Sequence, residues 1–364
     1  MHRRPLRIAL ALACFFVGPC CAARAMARVP SDEDALARTV ADAVLARGNE
    51  DALVYHTGAA RFDCQASIAV YQMAILGLGQ IVLAHPEKRG AYLPAMEHAA
   101  DLMLQPAALA YASRAYGHDG ISSMAPGEGH AYLGYVNLAL GMLRRVDPNT
   151  RFAAVNDRLT SELAARLEAS PSGVIETYPN ESWPPDVAAV AGSIGLHASA
   201  THAQPPAFLK RWAERFQACA IDSSGYLVQR VSSKCKPLDA PRGSGTALAS
   251  YFLAFADRDL SRHLYGALRG PRFLGFRGVR EYAPGHHGRG DANSGPVLLG
   301  VSVGATGFAI GAAGANGDEE GYAELVRSAN LAAVPTTASG NRTFALGGLL
   351  GDALLLAMLT ARPS

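Results

Sequence analysis

The strongest constraint on this chain is a repeated change of character between its helical segments. Helical periodicity recurs along nearly the whole length, but the segments are of two kinds. Some, such as 152–168 and 206–218, carry Arg, Glu and Lys along one side. Others, such as 187–200 and 295–314, are apolar all round and rich in Gly, Ala and Ser. A helix without a polar face has to be enclosed, and small residues let neighbouring backbones come close. Alternation of enclosed and half-exposed helices is what two concentric rings of helices produce. The expected fold is therefore all-α, an (α/α)6 toroid of inner helices shielded by outer ones. An α-solenoid would need a fixed-period motif, and none is present.

Individual segments support this. "SDEDALARTVADAVLARG" opens on Ser31 with an acidic first turn and closes on Gly48, a helix with both end signals in place. "ASIAVYQMAILGLGQIVLAH" stops just before Pro86. About a dozen such segments fill the chain. "GYLVQRV" is the one strand candidate, expected as half of a short surface hairpin or loop excursion near 221–240. The span 295–314 is apolar enough to resemble a membrane segment, but its glycines and the polar "HHGRGDAN" before it favour an inner helix.

The chain has 364 residues, 49 % hydrophobic and 18 % charged, with a net charge of +2. That composition belongs to a folded protein with ample core, not to a disordered one. No basic run points to nucleic acid, and no acidic tail to a cationic partner.

The N-terminus has the layout of an export signal. "MHRRPLR" is basic, "IALALACFFVGPCCA" is apolar but short, and "ARA" or "AMA" ending at Ala27 fits a cleavage site. The expected division is a signal peptide over 1–27 and one domain over 28–364, without a transmembrane helix in the mature chain, in the periplasm or outside the cell. A lipid anchor on Cys20 or Cys21 is the lesser alternative. Of the remaining cysteines, Cys219 and Cys235 flank a polar loop whose closure by a disulfide is worth ~3 kcal/mol. Cys64 is expected to be a buried small hydrophobe.

Three loops are unusually polar: "GHDGISSMAPGEGH", "ETYPNESWPPD" and "EYAPGHHGRGDANSGP", ahead of helices at 131, 187 and 297. Inner helices of a toroid start from one end, so these loops would gather around one cavity, with unpaired backbone N–H groups beside them. Asp186, held behind two prolines, and Asp291 are the expected acid–base pair, one kept protonated by its surroundings while the other stays ionised. Helix capping is the alternative role for each. Glu176, Asn180 and His130 would position substrate or water, with Glu128 a further candidate. Trp183, Tyr178, Tyr132 and Tyr135 offer faces for a sugar ring or an isoprenoid. His286, His287 and Asp291 lack the spacing of strong zinc motifs, so no metal or other cofactor is expected and His287 counts among the substrate-contacting candidates. No phosphate-cradling glycine loop and no G-x-S-x-G elbow occurs.

"GHAYLGYVNLALGM" followed by "VIETYPNESWPPDVA" resembles the linalool dehydratase-isomerase family, (α/α)6-barrel proteins that interconvert myrcene, linalool and geraniol. The resemblance covers the middle third, with a looser echo at Gln65–Gln80 and in "DANSGP". It implies the barrel and the place of its cavity. Pro179, Asn180 and Trp183 match the family pattern. Thr177 and Asp186 stand where the family has catalytic cysteines, and Tyr135 follows Gly134 where it has a histidine. A carboxyl in place of a thiol implies acid–base catalysis of the kind that paired Asp/Glu residues perform in glycoside hydrolases. The leading expectation is an exported enzyme acting on an oligosaccharide or similarly polyhydroxylated substrate. The alternatives are a lyase or isomerase on a small alcohol, and a barrel that binds its ligand without turnover.

Overall fold

The computed structural model describes residues 31–48, 60–122, 129–291 and 294–363. The expected signal peptide and Glu128 lie outside them, as does the side chain of Cys64. The described residues contain thirteen α-helices: α1 Ser31–Leu45, α2 Ala60–Ala84, α3 Arg89–Met103, α4 Pro106–Tyr116, α5 Leu133–Val146, α6 Ala153–Ala169, α7 Pro184–Ala200, α8 Phe208–Ala220, α9 Gly243–Leu253, α10 Arg258–Ala267, α11 Val303–Asn316, α12 Glu319–Ala333 and α13 Gly348–Leu359.

Six of them close into a ring. α2 packs on α5, α5 on α7, α7 on α9, α9 on α11, α11 on α13, and α13 back on α2. Outside this ring α1, α3, α6, α8, α10 and α12 alternate with the inner helices along the chain, and α4 is an addition beside α2. This is the expected (α/α)6 barrel. Ala66–Ala84, a stretch long and apolar enough to cross a membrane, is inner helix α2 and is mostly buried in the ring.

The small residues of the inner helices are there for close approach. A Cβ on Gly134 of α5 would lie 2.5 Å from the backbone nitrogen of Val190 on α7, and one on Gly195 would lie 2.2 Å from the carbonyl oxygen of Phe255. A methyl group at either position would have to push backbone aside, that of α7 at Val190 or that of the turn after α9 at Phe255. α7 itself starts on Pro184 and Pro185, where the missing N–H groups have no helical partner to lose and the fixed φ favours the first turn.

The strands are short, antiparallel and peripheral. β1 Arg272–Phe273 pairs with β2 Phe276–Arg277. β3 Val279–Arg280, β4 Val297–Leu298 and β5 Val301–Ser302 make a sheet of order β3-β5-β4. β6 Pro335–Ala338 pairs with β7 Asn341–Phe344 through a turn in which Ser339 and Gly340 both have positive φ, 52° and 80°, as a type I′ hairpin requires.

Two local expectations are corrected. "GYLVQRV" is no extended strand, and of the two forms expected near 221–240 the loop excursion is the one present, residues 221–242 being tied by isolated bridges that include Ile221 with Leu227 and Val228 with Pro241. It is also not on the surface, since Tyr226, Leu227, Val228 and Val231 are buried. Its disulfide between Cys219 and Cys235 is formed. The span 295–314 is not one helix: its first part turns back as the β4–β5 hairpin, and α11 starts only at Val303, capped by the Ser302 hydroxyl accepting from the Ala305 N–H. A continuous apolar run carries no period that separates strand from helix.

Candidate active site

A cavity of about 70 Å3 opens among the first turns of the inner helices, lined by Tyr135 from α5, Pro185 and Asp186 from α7, Ser244, Gly245 and Leu248 from α9, and Phe308 from α11. Tyr178 and Trp183 join from the loop before α7, and Gln229 from the 221–242 excursion.

Asp186 is the chemical centre. Pro184 and Pro185 leave it in the first turn of α7, where its N–H donates to the Trp183 carbonyl at 2.9 Å. Its carboxyl is buried, and both oxygens are engaged: the Tyr135 hydroxyl donates to Oδ1 at 2.5 Å and the Thr177 hydroxyl to Oδ2 at 2.7 Å. Burial pushes the carboxyl up to about 6, against the downward pull of these two hydrogen bonds. The Tyr135 phenol is pushed well above its ordinary value by burial and by the neighbouring Asp186. A carboxylic acid held near 6 in a largely apolar wall is poised to give up a proton near neutral pH.

The aromatic wall is braced from behind. The Tyr135 ring meets Phe252 edge to face at 5.7 Å between centroids. The Trp183 Nε1 donates to Glu181 at 3.3 Å, and the guanidinium of Arg230, paired with Glu181 at 3.4 Å, sits 5.9 Å from the Trp183 ring. Thus Glu181 and Arg230 fix an indole that faces the cavity.

Of the residues singled out from the sequence, Asp186, Tyr135, Tyr178 and Trp183 meet at this cavity. Others are placed elsewhere. Asp291 does not line the cavity; its carboxylate accepts from Arg242 at 2.5 Å and from the Ser294 N–H at 3.0 Å, and its side chain is 44 % exposed. The expected pair of carboxylates across one cavity is therefore corrected: among the described lining residues there is one, because an arginine takes up the second. Glu176 serves through its backbone, its carbonyl accepting from the Ala131 N–H at 2.9 Å. Asn180 is exposed, and its φ of 64° follows Pro179 in a tight turn closed by the Glu181 N–H on the Tyr178 carbonyl at 2.9 Å. That is the type II pattern, so Asn180 is a turn residue and not a lining one.

His130 and Tyr132 belong to a separate buried ring cluster. The His130 Nδ1 is 3.1 Å from the Tyr132 hydroxyl, which donates to the Asp119 carbonyl at 2.7 Å, and His130 also packs on Tyr116 and His118. His287 is exposed and away from the cavity lining. Gln229, Ser244, Leu248 and Phe308 also line the cavity, and no sequence motif marks them. The nearest thing to a signal is "PRGSGT" at 241–246, a polar approach to a small-residue helix like the three polar loops ahead of 131, 187 and 297.

No protein-family model matches this chain, and no curated protein is similar to it in sequence. Solved structures share its fold. The GH76A α-1,6-mannanase from Salegentibacter sp. HEL1_6 matches with a TM-score of 0.55 at 11 % identity, over 90 % of this chain and 99 % of that one. An inactive variant of the same mannanase, with two adjacent aspartates changed to asparagine and α-1,6-mannotriose bound, matches with a TM-score of 0.52 at 11 % identity, over 89 % and 99 %. The common feature is the (α/α)6 barrel. No two aspartates are adjacent in the present sequence, so the mannanase's substituted pair has no like pair here.

Proposed function

We propose that this chain is an exported enzyme that breaks a C–O bond in an oligosaccharide or similarly polyhydroxylated substrate, with Asp186 as the proton donor. The observation that carries this is a buried carboxyl held up to about 6 inside a cavity walled by Tyr135, Tyr178 and Trp183. Barrels of the same fold in mannanases with a bound oligosaccharide lend support, and the Cys219–Cys235 disulfide suits an oxidising compartment.

The proton of Asp186 passes to the departing oxygen as its bond to carbon breaks. The carboxylate left behind is stabilised by the hydroxyl donors of Tyr135 and Thr177 and by its position beside a carbon that has gained positive charge. It then takes a proton back, from a water that adds to that carbon (hydrolysis) or from the neighbouring C–H (elimination). In this reading one group acts first as acid and then as base in either course.

A panel of neutral oligosaccharides tests this directly. The parent protein should turn over at least one of them. Asp186→Asn should lower the rate on the order of 10²–10⁴-fold, while Asp291→Asn, outside the cavity, should keep most of it. Undiminished turnover in Asp186→Asn overturns the proposal.

A second reading rests on the apolar part of the lining, Pro185, Leu248 and Phe308 with the Trp183 indole. It is a lyase or isomerase similar to the linalool dehydratase-isomerase family, with Asp186 protonating the hydroxyl of a small alcohol. Product analysis after incubation with linalool separates the two.

A further inference from the structure

The wall of the cavity contributed by α9 has both free donors and a free acceptor. At the start of α9 the Gly243 N–H donates to the Glu281 carbonyl at 2.5 Å and the Thr246 N–H to the Arg242 carbonyl at 3.0 Å. The N–H groups of Ser244 and Gly245 between them have no acceptor among the described residues, and no side chain caps the helix. The first turn of a helix leaves such groups unpaired and partially positive.

Against this turn lies Gln229. It is 3 % exposed, lines the cavity, and has a buried amide oxygen with no hydrogen-bond partner. A Cβ on Gly245 would stand 2.6 Å from that oxygen, so only the absence of a side chain there lets the amide lie over the helix start. A buried carbonyl oxygen without a donor is costly to keep, and at a cavity wall it marks a place where a ligand supplies the donor.

We propose that the amide oxygen of Gln229 and the N–H groups of Ser244 and Gly245 form a subsite for one hydroxyl group of a neutral substrate, and that uronate-bearing substrates are rejected there. The inference rests on the cavity being the substrate site. A hydroxyl both donates and accepts, so it satisfies the amide oxygen and the backbone donors together. A carboxylate only accepts; it leaves the Gln229 oxygen facing another oxygen and adds negative charge beside Asp186. No Lys, Arg or His lines the cavity among the described residues. The guanidinium of Arg242 lies outside the lining and its charge is balanced by two carboxylates, Nε donating to Glu281 at 2.7 Å and Nη1 to Asp291 at 2.5 Å, with Nη2 left without a partner among the described residues; Ser244 also donates to Glu281 at 2.7 Å.

Calorimetric titration of the Asp186→Asn protein with α-1,6-mannotriose, cellotriose, maltotriose and trigalacturonate tests the subsite without turnover. At least one neutral trisaccharide should bind and trigalacturonate should not. Adding Gln229→Leu, or separately Gly245→Ala, should weaken the neutral ligand about tenfold or more. Gln229→Leu should at the same time hold or raise Tm, because it removes an unpaired buried amide oxygen; a purely structural glutamine would lower it. Trigalacturonate binding as tightly as the neutral sugars overturns the inference. So does neutral binding unchanged in a folded Gln229→Leu protein, or no neutral binding at all. Parent turnover of the same sugars is scored separately: binding that depends on Gln229 without turnover sinks the catalytic reading alone, and turnover indifferent to Gln229 sinks the subsite alone.

Discussion

Asp186 holds its proton up to about pH 6 because the surrounding wall penalises its charge more than two hydroxyl donors stabilise it. The consequence for stability has a definite sign. Below about pH 4 the group is protonated in both the folded and the unfolded chain. Between there and about 6 the folded protein holds a proton that the unfolded chain has released. Stability from this group is therefore full in acid and lost as pH rises through about 6, by on the order of 3 kcal/mol. Asparagine removes the effect, so Tm of Asp186→Asn minus Tm of the parent should rise between pH 4 and pH 7; a flat difference contradicts the assignment. Asn180 makes a different prediction. Its left-handed φ tolerates glycine, so Asn180→Gly should leave stability nearly unchanged while Asn180→Ala costs about 1 kcal/mol, and neither should alter turnover. Asp186 was legible in the sequence because Pro-Pro-Asp ahead of an apolar small-residue helix can point in few directions. Asn180 was not, because Pro-Asn is equally a turn and a polar pair until its φ is known.

At the scale of elements, the glycine- and alanine-rich inner helices decide how narrow the barrel is. Gly195→Ala sets a methyl 2.2 Å from the Phe255 carbonyl oxygen and Gly134→Ala one 2.5 Å from the Val190 nitrogen. Each should lower unfolding free energy in urea by about 1–3 kcal/mol, whereas Gly266→Ala on α10, with open space around it, should not. The alternation of enclosed and half-exposed helices was readable from sequence because burial dictates side-chain character. The β4–β5 hairpin was not, since "PVLLGV" is apolar throughout and the turn at Leu299–Gly300, with φ of 52° and 83°, leaves no polar mark. The β6–β7 hairpin leaves only Ser339–Gly340, since the flanking "PTTA" and "NRTF" carry no apolar alternation to mark them as strands.

For the molecule as a whole, ring closure brings together groups that nothing local connects. Tyr135, Asp186, Gln229, Ser244 and Phe308 come from five segments spread over more than half the domain, and only Asp186 and Tyr135 had neighbours that announced them. Asp291 failed for the same reason in reverse: its partner Arg242 is remote in sequence and takes the carboxylate away from the cavity. The Cys219–Cys235 bridge closes the segment that carries Gln229; replacing both cysteines by serine should cost ~3 kcal/mol and weaken neutral-ligand binding together with it. The apolar wall that raises Asp186 exists only when the barrel is assembled, so the titration of that one carboxyl reports on the whole arrangement. Carbon-13 NMR of the Asp186 carboxyl across the pH range should give a midpoint near 6 in the parent and a higher one in Tyr135→Phe, which loses a donor to the ionised form. A midpoint near 4 in both proteins would contradict the account.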